Sequence, residues 1–241
     1  MGLNLAGGLL VDECRKTLLG ALRGDAWFGD LPVHVQNALL TRARIVEKEP
    51  NAVIFSAGDD PTGIYGIVRG TVRMEHVTGQ GERSLSYFIP SPRWFGTIST
   101  FDSGPRIQNA SACDDVVLCH VSHIGLRRLL SEMPEVWGHL APLLAMQVRR
   151  IFDRLETMAT KPIEVRIARA LLSLTSESFT LEEGHNASPP MTQDDLAAAV
   201  GATRQSVSKV LKTWERDGMI AVRYRSVEIC DPIELSAIAR S

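Results

Sequence analysis

The stretch that most constrains this chain is Met191 to Leu211, which reads MTQDDLAAAVGATRQSVSKVL. Leu196 and Val200 are one helical turn apart and share a face. Gly201 sits where the chain must reverse and a positive φ is cheapest. Val207 and Val210 are three apart and can pack back on the first helix. Ala197 is small, as a close helix crossing requires. Thr192 followed by Asp195 resembles a capping box with Asp in place of Glu or Gln. Thr203 can cap a second helix. The spacing predicts two short helices joined by a tight turn.

The second helix would open on Thr203, Arg204, Gln205 and Ser206. In a helix-turn-helix that reads DNA, this is the turn that meets base edges in the major groove. The Arg204 fork matches guanine O6 and N7, and Gln205 can pair with adenine N6 and N7. Thr192, Thr203, Ser206, Ser208, Lys209 and Lys212 are the candidate backbone contacts. Beyond them, Ile220–Val222 and Val227–Ile229 flank Arg223-Tyr224-Arg225-Ser226, the pattern of a small hairpin or wing. Arg223 and Arg225 could contact phosphates there. From Thr203 to Arg225 there are six basic residues against two acidic ones, while the whole chain carries −2. A basic patch in a near-neutral protein fits a local DNA contact rather than general polyanion binding. An ordinary helical hairpin with a solvated basic face is the alternative.

The 241 residues suffice for two domains, and 44% apolar with 22% charged residues is ordinary for a soluble globular protein. No apolar run approaches the length that spans a bilayer. The N-terminal stretch has no basic segment before its apolar residues and reads as mature sequence, not a secretion signal. Cys14, Cys113, Cys119 and Cys230 form no C-x-x-C pair, which fits a reducing cytoplasm and gives no zinc ribbon. No spacing singles out a pair among His34, His76, His120, His123, His139 and His185. No nucleophile–base pair, metal-ligand spacing or phosphate-binding glycine loop points to an enzyme.

Ahead of the motif the pattern is mixed. Residues 12 to 44 read as helices broken by Gly24, Gly29 and Pro32. Short β-rich runs follow at Val53–Phe55, Ile64–Val68, Thr71–His76, Ser84–Ile89 and Val116–Val121, with turns between them that include Thr78-Gly79-Gln80-Gly81. That density of strands argues for a compact barrel or sandwich. Residues 122 to 133 read as a short helix. A long one follows, roughly Glu135 to Ala159, with Pro134 in its first turn and Pro142 awkwardly inside. Its apolar seam is Leu140, Leu144, Val148, Ile151, Leu155 and Met158, which predicts a parallel homodimer interface, with packing on the barrel as the alternative. Lys161-Pro162 marks a hinge, Ile163 to Leu174 a further helix, and Ser176 to Pro190 a polar loop.

The order barrel, long helix, hinge and winged helix-turn-helix resembles the Crp/Fnr family of bacterial transcription regulators over nearly the whole chain. Phe55-x-x-Gly58-Asp59 and Tyr65-x-Ile67-x-x-Gly70-x-Val72 carry the likeness in the barrel. Phe95-Gly96 resembles the start of its binding loop, and Val165-Arg166-Ile167-Ala168-x-x-Leu171-Leu172 the helix after the hinge. The resemblance implies an α+β fold with an N-terminal β-roll or jelly-roll barrel. It divides the chain into an effector domain at 1–133, a dimerisation helix at 134–160 and a winged helix-turn-helix domain at 161–241. It also implies a cytoplasmic homodimer, double-stranded DNA and RNA polymerase as partners, and a palindromic site.

The departures from the family pattern are specific. Members that bind cyclic nucleotides carry Gly-Glu in the loop and Arg-Ser or Arg-Thr after it. Here Thr97 follows Gly96, and Ile107 follows Arg106. A threonine cannot supply the charged acceptor for a ribose, so the effector is expected not to be cyclic AMP. Gly96, Thr97 and Arg106 remain the candidate effector residues, with Arg106 as partner of some other anion or simply a surface loop residue. The cofactor is left unassigned. A cyclic-nucleotide-responsive regulator is one alternative. Another is a ligand-independent barrel, and a third uses the helix-turn-helix for protein contacts. Gln205 stands where many members carry Glu, and Lys209 where they carry Arg, which predicts an altered base preference beside a retained guanine.

Overall fold

The computed structural model describes residues 12–77, 83–175 and 188–241. The turn at Thr78 to Gly81, residues 176–187 with His185, and the Cys14 side chain lie outside the described residues.

Among the described residues three helices come first: α1 (Asp12–Leu22), α2 (Ala26–Gly29) and α3 (Val33–Thr41). They break where Gly24, Gly29 and Pro32 predict. Asp25 caps α2 by accepting from Phe28 N at 2.9 Å. Leu22, Phe28, Val35, Leu39 and Leu40 are fully buried and form one wall of the N-terminal core.

Eight strands follow, in two four-stranded sheets. The strands are β1 (Ala43–Lys48), β2 (Val53–Phe55), β3 (Gly63–Arg69), β4 (Thr71–Val77), β5 (Arg83–Pro90), β6 (Arg93–Phe95), β7 (Asn109–Ala112) and β8 (Val116–Ser122). One sheet has the order β1-β8-β3-β6 and the other β2-β7-β4-β5. In the first, β8 is central. It pairs antiparallel with β1 from Ala43↔Val121 to Lys48↔Val116, and with β3 from Gly63↔Ser122 to Arg69↔Val117. Tyr65 of β3 also faces Phe95 of β6. The five runs expected from sequence are all strands. The structure adds β1, β6, β7 and a short helix, α4 (Ile98–Asp102).

Helix α5 (His123–Glu132) starts on Ser122, whose hydroxyl accepts from Gly125 N at 3.1 Å. Helix α6 (Val136–Thr160) is the longest described, at 25 residues, and passes Pro142 without ending. Pro134 stands just before it rather than in its first turn. Then come α7 (Ile163–Thr175), α8 (Gln193–Val200), α9 (Arg204–Arg216), β9 (Ile220–Arg223), β10 (Ser226–Ile229) and α10 (Pro232–Arg240). Helix α10 starts on a strong local signal: Asp231 Oδ1 accepts from Ile233 N and Glu234 N at 3.0 and 2.9 Å, with Pro232 at the first position.

The chain forms two compact units. One runs to Val72 and resumes at Ser91–Arg149; the other joins Arg73–Pro90 to Arg150–Ser241. Each has its own apolar core. No described helix is long and apolar enough to cross a membrane.

Candidate nucleic-acid interface

Helix α8 is fixed at its start by a complete capping box. Asp195 N donates to Thr192 Oγ1 at 3.1 Å, and Thr192 N donates to Asp195 Oδ2 at 2.8 Å. Asp195 is buried, and its other oxygen lies 3.4 Å from Arg73 Nη1. At the far end Gly201 has φ 62° and ψ 47°, the left-handed conformation the turn requires. The last carbonyls of α8 have no helical partners. Arginines from other helices take them: Arg154 Nη2 donates to Ala199 O at 2.5 Å, and Arg166 Nη1 to Val200 O at 2.9 Å. A cation there also opposes the negative end of the helix dipole.

Helix α9 starts on Thr203, which accepts from Ser206 N at 3.2 Å. Val207, Val210, Leu211 and Trp214 are buried with Leu196, Ala197 and Val200 of α8 in one cluster. The opposite face leaves Arg204, Gln205, Ser206, Lys209 and Lys212 exposed, with Ser208 half-buried. The motif therefore presents the residues its sequence singles out.

One hydroxyl assignment changes. Thr192 has one hydroxyl hydrogen, and it goes to Asp195 Oδ2 at 2.8 Å. Thr192 therefore orders the helix and has no side-chain donor left for a phosphate. Thr203 Oγ1 and Ser206 Oγ share a bond of 2.9 Å, so one of the two keeps its hydrogen.

The wing is a hairpin in the register Ser226↔Arg223 to Ile229↔Ile220. Tyr224 and Arg225 form its tip; Tyr224 is 93% exposed and Arg225 has φ 57°. The Arg223 guanidinium lies 3.4 Å from Glu228 Oε2. Val222 N donates to Glu215 Oε1 at 3.0 Å, which ties the wing to α9. Between the start of α8, the start of α9 and the wing lies a groove of about 310 Å³, lined in part by Asp194, Arg204, Arg223 and Arg225.

In the first unit the candidate effector residues come together, but not as a surface loop. Arg106 is only 4% exposed. Its Nη1 donates to Gly96 O at 2.8 Å, and its Nη2 to Gly63 O and Thr62 Oγ1 at 2.5 and 2.7 Å. The guanidinium sits 4.3 Å from the Phe55 ring centre. Burial lowers its pKa, and Tyr65 and Asp59 act against that fall. Gly96 has φ +83°, and a Cβ there would stand 3.0 Å from Arg106 Nη1 and 3.2 Å from Gly63 O. Thr97 is 1% exposed, and its hydroxyl donates to Gln147 Oε1 at 2.6 Å.

The sequence matches a Crp-like helix-turn-helix domain at residues 165–238 and a cyclic nucleotide-binding domain at residues 45–133. It is 31% identical over 188 residues to the cyclic AMP receptor protein of Thermus thermophilus, covering 77% of this chain and 83% of that one. It is 28% identical over 204 residues to the CRP-like cAMP-activated global transcriptional regulator of Mycobacterium tuberculosis, covering 84% and 91%. A solved CRP/FNR-family transcriptional regulator, also from Thermus thermophilus, superimposes with a TM-score of 0.66 at 30% identity, over 82% of this chain and 99% of that one. This chain belongs to the Crp/Fnr family.

As a Crp/Fnr-type transcription regulator it combines a cyclic nucleotide-binding-type domain with a helix-turn-helix, and its relatives named above are regulators rather than enzymes. Its long helix departs in part from the expected seam. Val148, Ile151 and Leu155 are exposed at 42, 48 and 55%. Leu140 is fully buried in the protomer's own core, so it has no surface to offer a partner. Leu144 and Met158 are half-buried. Phe152, which a strict three-four spacing skips, is 66% exposed beside Ile151 and extends the apolar face. Gln147, Thr62 and Asp194 are further polar residues of these sites that no sequence motif marks. Among the described residues no cluster of His, Cys, Asp and Glu could hold a metal ion. Cys113 and Cys119 are buried, and Cys230 is exposed.

Proposed function

We propose that this protein is a homodimeric regulator that reads a palindromic DNA site through Arg204 and Gln205, with a guanine in each half-site. The observation that carries the reading is the capped helix α9, whose exposed first turn presents Arg204 and Gln205 on a rigid, fully packed motif. Thr203, Ser206, Ser208, Lys209, Lys212, Arg223 and Arg225 supply backbone contacts. Two-fold pairing along α6 through Val148, Ile151, Phe152 and Leu155 would set half-sites about 34 Å apart. The chain divides functionally into an effector part at 1–133, the pairing helix at 134–160 and the DNA part at 161–241. It acts in the cytoplasm, alongside RNA polymerase, and is not an enzyme.

The relatives' names speak of cyclic AMP, but cyclic AMP is not the effector of this chain. Thr97 brings no carboxylate to a ribose, and its hydroxyl is bonded to Gln147. Arg106 is bonded to the carbonyls of Gly96 and Gly63, so a phosphate would have to displace them. That observation favours a second reading of the barrel alone: it works without a small ligand, with the carbonyls of Gly96 and Gly63 taking the guanidinium hydrogens that an anion would take.

Selection from random duplex DNA, with the purified protein and no added ligand, tests both parts. Enrichment of a two-fold symmetric site containing guanine in each half is expected. The same site without any gain on adding cyclic AMP supports the ligand reading. Enrichment only with cyclic AMP would overturn it, and no symmetric site under either condition would overturn the DNA reading.

A further inference from the structure

We infer that Asp194 is a positioning residue for base reading by Arg204, and that its charge sets the contrast between specific and non-specific DNA. The inference rests on the proposal that Arg204 reads guanine. Asp194 is the second residue of α8 and Arg204 the first of α9, ten positions on. Arg204 Nη1 lies 3.4 Å from Asp194 Oδ2. Both side chains are open to solvent, at 67 and 61%. Both line the groove that Arg223 and Arg225 close from the wing side.

The pair has little to do for the fold. An exposed ion pair of this length contributes almost nothing to stability. The cap of α8 is made by Thr192 with the neighbour of Asp194, Asp195, which is buried and fully engaged. What Asp194 can do is act on the arginine. A guanidinium has five N–H donors in a fixed plane, and the side chain carrying it is otherwise free to rotate. A carboxylate that takes one Nη1 hydrogen restrains the fork and leaves the remaining donors for guanine O6 and N7.

The same carboxylate places a negative charge in a groove whose other charged lining residues are Arg204, Arg223 and Arg225. Against a phosphate backbone that charge is repulsive wherever the protein lands. It therefore weakens non-specific binding at every sequence. Only at the right base is the loss offset, because the oriented fork makes its bidentate contact. Specificity is a difference of affinities, and a repulsive element raises it.

The test compares wild type, Asp194→Asn, Asp194→Glu, Arg204→Ala and the double variant D194N/R204A. Each is titrated with the selected palindrome, the palindrome with its half-site guanines replaced, and an unrelated duplex of equal length, at two salt concentrations. Asp194→Asn is expected to bind the unrelated duplex more tightly and with a steeper salt dependence. Its preference for guanine is expected to fall by about tenfold, the size of losing part of one bidentate contact. Asp194→Glu keeps the charge and should keep most of the preference. In the Arg204→Ala background the Asp194→Asn change should leave the guanine preference untouched. Higher affinity with reduced discrimination is an outcome that a merely structural residue does not give. Unchanged guanine preference in Asp194→Asn, with Arg204→Ala lowering it, would overturn the positioning role and leave the DNA reading intact. Wild-type preference in Arg204→Ala would overturn the base reading itself and the role of Asp194 with it.

Discussion

The Thr97 hydroxyl donates to Gln147 Oε1 at 2.6 Å, so the turn after β6 is bonded to the long helix α6. Gln147 also donates its Nε2 to Trp94 O at 3.2 Å, which fixes the amide from both ends. Thr97→Val keeps the shape and removes the donor. Leaving an acceptor without its partner in a buried place costs about 1–3 kcal/mol. Gln147 is half-buried and can recover part of this from water, so a loss near 1 kcal/mol is expected. Urea unfolding would measure it, and no change in midpoint would mean that the bond does not hold the turn.

Arg106→Ala separates a buried anchor from a surface loop residue. A surface substitution away from special features changes stability by no more than about 0.5 kcal/mol. Here the change strips the donors from Gly96 O, Gly63 O and Thr62 Oγ1 and uncovers the Phe55 ring. A destabilisation above about 2 kcal/mol is expected. Chemical denaturation of the variant beside wild type decides the matter.

His120 makes the same unit sensitive to acid. Its ring stacks on Tyr65 with centroids 4.4 Å apart, and Nε2 lies 2.9 Å from Thr62 O. A carbonyl can only accept, so Nε2 carries the hydrogen in the neutral ring. Burial lowers the His120 pKa below its ordinary 6.5, with Arg106 and Arg44 pushing the same way and the Thr62 bond resisting. The folded state therefore favours the neutral ring. Its contribution is fully present above the unfolded pKa and is lost as the pH falls from there through the folded value. His123 is lowered by burial too and adds to the slope. Thermal unfolding midpoints should fall as the pH drops below about 6.5, the ordinary histidine value, and His120→Phe should flatten part of that fall whatever its midpoint in mild alkali.

What was legible in the sequence was local. The caps at Thr192 and Thr203 and the reversal at Gly201 are each set by residues within one turn, and all three stand in the structure as read. Strands β2, β3, β4, β5 and β8 were equally plain. β7 was not, because Asn109-Ala110-Ser111-Ala112 has no strand preference of its own and is a strand only through its neighbours in the sheet. The inward course of Arg106 was also invisible. It depends on Phe55, Thr62 and Gly63, more than forty positions away, and no spacing near Arg106 encodes them. Leu140 fits the seam by periodicity, but the core claims it first.

The exposed part of the seam gives a direct prediction for assembly. Phe152 is 66% and Leu155 55% exposed on one face of α6. A charge on that face would be buried without a partner in a dimer and solvated in a monomer. Phe152→Glu with Leu155→Glu should therefore shift sedimentation from dimer to monomer while leaving the unfolding free energy of the protomer in urea within about 0.5 kcal/mol of wild type. Dimers that persist in the double variant would remove α6 from the interface.

Gly201→Ala tests whether conformation or space governs the turn between α8 and α9. The backbone holds φ 62°, where an L-residue is strained by about 1–2 kcal/mol. A Cβ there would also stand 2.6 Å from Met158 Cε. That atom is the far end of a flexible side chain, which can swing away at small cost. Strain should therefore outweigh the clash. Gly201→Ala is expected to lose about 1–2 kcal/mol, and adding Met158→Ala should not restore it. Full recovery in the double variant would show instead that packing against Met158 is what demands glycine at this position.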